Sequence, residues 1–216
     1  MTSPRSSSVL VLTALLLGSA CAKEPSDAPA RPTPPPATAT PTPAPASPSA
    51  DPEAVALERA REAAMTLGRT LKGRLLAALA ESGPVGALEV CATEAQTRTG
   101  EVGRQADARV GRSSLRLRNP ANAGPAWVRE ALSGLGERPA SGVTPIRVVA
   151  DVEGRRVARF AAPIPVEGPC LTCHGARESL APELRQALAR RYPEDAAVGY
   201  AVGDLRGLVW AEVDVP

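Results

Sequence analysis

Residues 144–161 read TPIRVVADVEGRRVARFA, and this stretch decides the fold class of the second half of the chain. Its side chains alternate in polarity over residues 144–151 and again over residues 155–161, with Glu153 and Gly154 between the two runs. Alternation with a period of two is typical of strands that bury one face, and a Glu-Gly pair favours a tight turn. The stretch therefore predicts a β-hairpin and, with it, an antiparallel sheet.

Upstream of the hairpin the pattern is helical. Apolar residues recur every three or four positions from Leu57 to Leu79, which predicts one long amphipathic helix. This helix is expected to begin at Glu53 and to end at Ser-Gly-Pro, residues 82–84. A second helix follows, and Cys91 lies on its apolar face, so we expect this thiol to point inward.

The remaining segments complete the predicted architecture. Short helices are expected over residues 127–132 and 177–191, and a strand or extended arm over residues 112–118. Residues 198–202 and 208–215 predict a second pair of strands. Helices followed by an antiparallel sheet define an α+β fold.

Residues 170–174 read Cys-Leu-Thr-Cys-His and contain the only histidine of the chain and two of its four cysteines. In such a segment two thiols add to the vinyl groups of a haem, and the histidine becomes an axial iron ligand. The spacing predicts one covalent haem c, attached at Cys170 and Cys173 and ligated by His174. The alternatives are a redox CxxC pair, a structural disulfide and part of a zinc site.

The N-terminal region predicts export. Arg5 precedes an apolar run over residues 9–17, which is shorter than the roughly 20 residues that span a membrane and is typical of a signal peptide. Small residues before Cys21 predict lipoprotein cleavage, which removes residues 1–20 and lipidates Cys21; ordinary secretory cleavage is the alternative. The expected location is the bacterial cell envelope, lipid-anchored to a membrane and facing the periplasm.

Composition separates a linker from a domain. Residues 21–52 are rich in Pro, Ala and Thr, which indicates an extended spacer, and residues 53–216 have the length of one domain. The net charge is only +2 and the arginines are scattered, so no nucleic-acid partner is expected. Aromatic residues make up 2% of the chain, so we expect a core of Leu, Val, Ala and the haem itself.

The second axial position of the iron has three candidate occupants. A pair of histidines is excluded because the chain contains only one. Cys91 on its apolar helix face is one candidate, and Met65 on the first helix is another. An open or water-bound face is the third possibility.

Several motifs together resemble the c-type haem-binding PAS-like domain family, which is often described only as a domain of unknown function. The family occurs alone in exported bacterial proteins and as the sensory input of chemoreceptors and histidine kinases. The motifs are residues 87–91 (ALEVC), 111–122 (GRSSLRLRNPAN), 170–175 (CLTCHG), 192–195 (YPED), 199–200 (GY) and 203–207 (GDLRG).

The resemblance implies a PAS-like antiparallel sheet flanked by N-terminal helices, with haem c held in the CxxCH loop. It also implies that Cys91 is the distal iron ligand, opposite His174. Arginines of the second motif would line the haem pocket and pair with its propionates. These arginines are Arg112, Arg116 and Arg118.

Two function classes remain open. One is a membrane-tethered haem sensor, in which reduction or a small ligand such as NO or CO displaces Cys91 and the signal passes to a partner protein. The alternative is a monohaem electron carrier on a lipid anchor. An enzyme is not expected, because the sequence offers no second histidine and no evident acid–base pair for the distal side.

Overall fold

The structure, a computed structural model, describes residues 51–216. The predicted signal peptide (residues 1–20), the lipidation site Cys21 and nearly all of the linker (residues 21–52) lie outside the described residues.

The described chain begins with a long kinked helix, α1 (Pro52–Thr93). Asp51 caps it, because its side chain accepts a hydrogen bond from the backbone N–H of Glu53 at 3.0 Å. The helix is interrupted at Gly83, whose φ of 66° and ψ of −170° are not helical, and Pro84 restarts it. The predicted break at residues 82–84 is confirmed.

A second helix, α2 (Ala95–Ala106), follows directly and leads into a single antiparallel sheet. The strands are β1 (Arg109–Ser113), β2 (Ile146–Val152), β3 (Arg155–Pro165) and β4 (Leu205–Asp214). Their order across the sheet is β1-β4-β3-β2. β2 and β3 form the predicted hairpin, with positive φ at Glu153 (51°) and Gly154 (78°), as a two-residue turn of this kind requires. The predicted hairpin and the α+β class are confirmed.

The predicted pairing of residues 198–202 with residues 208–215 is wrong. β4 pairs with β1 and β3 instead, and residues 198–202 form no strand. The backbone N–H groups of Gly199 and Tyr200 donate to the carbonyls of Gly175 at 2.8 Å and His174 at 2.9 Å. Val198 and Tyr200 of this segment therefore pack in the clusters that contain the CxxCH cysteines, whereas Val202 is exposed.

The two faces of the sheet are covered by different helices. Small residues of α1, such as Ala60 and Ala64, let it pack closely against β3 and β4, where Phe160 and Ala211 face it. The opposite face packs against α3 (Ala126–Leu135). Within the described residues α1 is the one helix long and apolar enough to cross a membrane, a test that the core helix of a water-soluble domain also passes.

The CxxCH region lies between β3 and the last helix. A single helical turn, α4 (Leu171–His174), precedes α5 (Pro182–Arg191). The helix predicted over residues 177–191 is thus shorter at its start, because Pro182 opens α5 and a separate 3₁₀ turn occupies Arg177–Ser179. The extended segment predicted over residues 112–118 is a strand only to Ser113, where β1 ends.

Candidate functional site

One turn of helix positions the three residues of the CxxCH motif. Cys170 ends a 3₁₀ turn that continues directly into α4, so Cys170 and Cys173 are separated by about one helical turn. Residues three apart on a helix are neighbours on its surface. The two thiols and the imidazole of His174 are therefore presented by one short, continuous piece of backbone. Both thiols are free in the structure.

The imidazole of His174 is held by one of its nitrogens. Nδ1 lies 2.7 Å from the carbonyl oxygen of Ala197, so Nδ1 carries the proton and donates it to that oxygen. Burial, together with the guanidinium groups of Arg206 and Arg118, lowers the pKa of His174 to about 3. The ring is therefore neutral at neutral pH, and its other nitrogen, Nε2, keeps the lone pair that a metal ion requires.

A buried ion pair supports this segment. The guanidinium of Arg118 lies 3.1 Å from the carboxylate of Asp195, and the two side chains are only 11% and 2% exposed. Nη2 of Arg118 also donates to the carbonyls of Cys173 at 2.6 Å and Ala197 at 3.2 Å. Asp195 in turn accepts from the N–H of Ala197 at 2.9 Å. The pair therefore joins the CxxCH turn to the segment around Ala197, whose carbonyl holds His174.

Tyr200 completes the surroundings of the histidine. Its ring meets that of His174 edge to face, with 6.1 Å between the ring centroids. The guanidinium carbon of Arg116 lies 3.7 Å from the Tyr200 ring centroid, and that of Arg206 lies 5.3 Å from it. Two cations thus flank the aromatic ring that contacts the imidazole.

Cys91 lies on α1 beyond the kink and reaches the same region through an apolar cluster. Leu88, one turn earlier on α1, packs in a cluster with Leu184 and Leu188 of α5, and Cys173 packs against that cluster. Burial raises the pKa of the Cys91 thiol, while the nearby guanidiniums of Arg112 and Arg118 oppose that rise. The structure therefore brings the end of α1, with Cys91, to the side of the CxxCH turn.

The other predicted residues lie in three different settings. Met65 packs in the cluster between α1 and the sheet, away from the clusters that hold the CxxCH cysteines. Arg116 and Arg118 donate to protein groups, among them the carbonyl of Val198 at 3.0 Å for Arg116. Arg112 differs, because its Nη1 is buried and finds no hydrogen-bond partner within residues 51–216. Those residues hold no group of three or more His, Cys, Asp or Glu side chains arranged to bind a metal ion.

Sequence reasoning assigned no role to Asp195, Tyr200 or Arg206. All three belong to the motifs YPED, GY and GDLRG, which contributed to the family resemblance. The motifs were thus the available signal. The contact of Asp195 with Arg118 spans 77 positions of sequence and that of Arg206 with Tyr200 spans 6, and both appear only in the fold.

Together, the fold and site define an α+β domain in which a CxxCH turn presents two thiols and a neutral imidazole. The chain belongs to the Tll0287-like family, whose model matches residues 37–216. Among solved structures it is similar to one titled "Crystal structure of the cyanobacterial heme-protein Tll0287", with 25% identity and a TM-score of 0.46. The match covers 58% of this chain and 71% of that chain. No curated protein matches the chain.

Proposed function

We propose that this protein carries one haem c, attached through Cys170 and Cys173 and ligated by His174. The observation that carries this proposal is the CxxCH turn itself, with Nδ1 of its histidine fixed by the carbonyl of Ala197 at 2.7 Å. Metal-ligating histidines are generally held in this way through the nitrogen that does not bind the metal. Family membership supports the proposal, since the protein that gives the family its description is titled a heme-protein.

The residues present fit such a group. Free thiols about one turn apart match the two vinyl positions, and the apolar clusters around Cys170 and Cys173 match its hydrophobic faces. The buried, unpartnered Nη1 of Arg112 matches an acidic group that the protein itself does not supply there. When bound, the haem supplies an iron that takes up and releases one electron and holds a sixth ligand.

We propose Cys91 as that sixth ligand. The apolar cluster around Leu88 brings the end of α1 to the CxxCH turn, and Met65, the other candidate side chain, packs elsewhere. We also propose a PAS-like arrangement. It is supported by the antiparallel sheet and by the two helices that precede this sheet in the chain.

Redox or small-ligand sensing is the function that we favour. Cys91 lies on the short part of α1 that follows the kink at Gly83, where a φ of 66° interrupts the helix. A ligand on a segment behind such a hinge can leave the metal without unfolding the domain. Binding of NO or CO to the iron, or its reduction, would release Cys91 and move this segment. A partner protein would detect the new position of the segment. Electron transfer is the alternative, and no enzymatic activity is proposed.

The envelope location is proposed from residues beyond those described. Cys21 would be lipidated and the linker would hold the domain away from a bacterial membrane, facing the periplasm. Incorporation of labelled palmitate checks this, and a Cys21→Ser protein that still incorporates the label would contradict it.

A redox titration followed by optical spectra, with and without CO and NO, tests the function. Sensing predicts a low midpoint potential and new absorption bands when either gas is added, because Cys91 is replaced. Spectra that stay six-coordinate and unchanged under both gases would instead favour the electron carrier.

A further inference from the structure

Three partly buried arginines, Arg112, Arg116 and Arg206, have no carboxylate partner in the part of the chain that the structure describes, and the guanidinium of Arg116 instead stacks on the Tyr200 ring. Other partly buried arginines do have one, for example Arg118 with Asp195 and Arg159 with Glu212. Arg112 and Arg206 form no ion pair within residues 51–216, and burial lowers the pKa of both guanidiniums. Burying a cation without a nearby anion is destabilising. The guanidiniums of Arg112 and Arg206 therefore call for a negatively charged ligand.

Arg112 lacks a protein acceptor for part of its guanidinium. Its Nη1 is buried without a hydrogen-bond partner among the described residues. A buried donor without an acceptor is destabilising, so this nitrogen calls for an acceptor that residues 51–216 do not supply.

Arg206 uses only one of its three nitrogens. Nη1 donates to Ser114 Oγ at 2.6 Å and to the carbonyl of Arg116 at 3.1 Å, both of which are neutral acceptors. Within the described residues, Nε and Nη2 donate to no protein atom, and neither is a buried atom lacking a partner. These two N–H groups lie on the same edge of the guanidinium and form the fork that matches a carboxylate.

Arg112 lies near the end of β1, and Arg206 reaches the residue that follows β1. On β1, Gly111 and Ser113 face Trp210 and Gly124, on the side of α3. Because side chains alternate along a strand, Arg112 lies on the other side, toward α1. Arg206 donates to Ser114, the first residue after β1, at 2.6 Å.

Each arginine also lies beside one of the proposed iron ligands. Arg112 is close enough to Cys91 to influence the pKa of that thiol, and Arg206 contacts Tyr200, whose ring packs against His174. A group bound between Cys91 and His174 would therefore have both arginines near it.

We propose that Arg112 and Arg206 form a two-carboxylate site that binds the propionates of the haem, one guanidinium to each. This inference rests on the proposed function, because the haem is the dicarboxylate that would lie there. It adds Arg206, which the sequence did not single out. Arg116 and Arg118 meanwhile contact Tyr200, Asp195 and backbone carbonyls.

The test uses Arg112→Gln and Arg206→Gln in the haem-loaded protein. The midpoint potential is measured at several values between about pH 5 and pH 8, where a carboxylate released from an arginine begins to take up protons. We expect a nearly flat profile for the parent protein and a potential that falls with rising pH in each variant, because ionisation of the freed propionate favours ferric iron. Arg185→Gln, at an exposed position of α5, is the control and keeps the parent profile.

Unchanged pH profiles in both glutamine variants would overturn the proposal. Where a glutamine variant does not accumulate, Arg112→Lys or Arg206→Lys keeps the charge but loses the paired N–H geometry. Resonance Raman spectra of the lysine variant should then show a shifted propionate bending mode, and an unshifted mode would count against the site. A pyridine haemochrome assay on each sample separates the two proposals. Parent protein without covalent haem contradicts the proposed function. Parent protein with haem c, together with variants whose potentials are unaffected, contradicts only this inference.

Discussion

Arg118 and His174 donate to the same acceptor, the carbonyl oxygen of Ala197. The distances are 3.2 Å from Nη2 of Arg118 and 2.7 Å from Nδ1 of His174. Because Asp195 holds both Arg118 and the N–H of Ala197, the orientation of the imidazole depends on a buried ion pair that does not touch the ring. Such indirect supports commonly adjust the affinity and potential of a metal centre.

Removing Arg118 and removing Asp195 should shift the midpoint potential of the haem in opposite directions. Arg118→Gln deletes a positive charge and leaves the carbonyl of Ala197 to His174 alone, so the potential should fall. Asp195→Asn deletes a negative charge, so the potential should rise. Each variant should also lose about 3–5 kcal/mol of unfolding free energy, since its partner stays buried and unpaired.

The exposed ion pair between Arg155 and Asp214 provides the matched control. Its atoms are 2.9 Å apart, but the side chains are 58% and 66% exposed, so Arg155→Gln should cost no more than about 1 kcal/mol and leave the potential unchanged. Potentials that move in the same direction in Arg118→Gln and Asp195→Asn would indicate general loosening and contradict the electrostatic explanation.

Cys91→Ala should change the ferric Soret and low-spin bands, because the sixth ligand is lost. Met65→Leu is the control, since Met65 packs between α1 and the sheet and should leave the spectrum unaltered. Optical and electron paramagnetic resonance spectra of both variants check this. A parent-like spectrum for Cys91→Ala, or a changed one for Met65→Leu, would contradict the proposed ligation.

Gly207 lies where β4 comes closest to β1, and no larger residue fits there. A Cβ at this position would collide with the carbonyl of Ser113, and the φ of 158° is unfavourable for other residues. Gly207→Ala should therefore lower Tm, by about 2–4 °C for each kcal/mol lost in a domain of this size. Gly134→Ala, in α3 with open space around the new Cβ, should instead stabilise by about 0.5–1 kcal/mol. Calorimetry that ranks the two variants in the reverse order would contradict this packing.

Glu94, at the junction of α1 and α2, should make stability depend on acid pH. Hydrogen bonds from Arg74 and Arg98 lower the pKa of Glu94 to about 2, from an ordinary value of 4.5. Because the folded-state pKa is the lower one, the stabilisation is complete above the ordinary value and is lost as pH falls toward 2. Glu94→Gln should thus lower Tm at neutral pH, and the difference should shrink below about pH 4.5.

Glu89→Gln, an exposed carboxylate of α1, is the control and should leave the pH profile of Tm as it is. If the difference in Tm between the parent and Glu94→Gln stays constant from neutral pH down to strong acid, the carboxylate charge of Glu94 is not the source of the stabilisation.

The features predicted well from the sequence are those set by neighbouring residues. The turn at Glu153 and Gly154 and the break at Gly83 depend on local backbone preferences. The strand predicted over residues 198–202 failed because its hydrogen bonds go to His174 and Gly175, more than twenty positions away. The partners of Arg206 and Asp195 were hidden for the same reason, since nothing local distinguishes a surface arginine from one beside Tyr200.

The most direct test of the central proposal is a pyridine haemochrome assay on the full chain, expressed with its N-terminal region in a host that has haem c maturation machinery. The proposal predicts one haem per chain that resists acid–acetone extraction and gives a thioether-type spectrum, and Cys170→Ala and Cys173→Ala should each lose a thioether bond. Parent protein that contains no haem, or only haem that the solvent extracts, would contradict it.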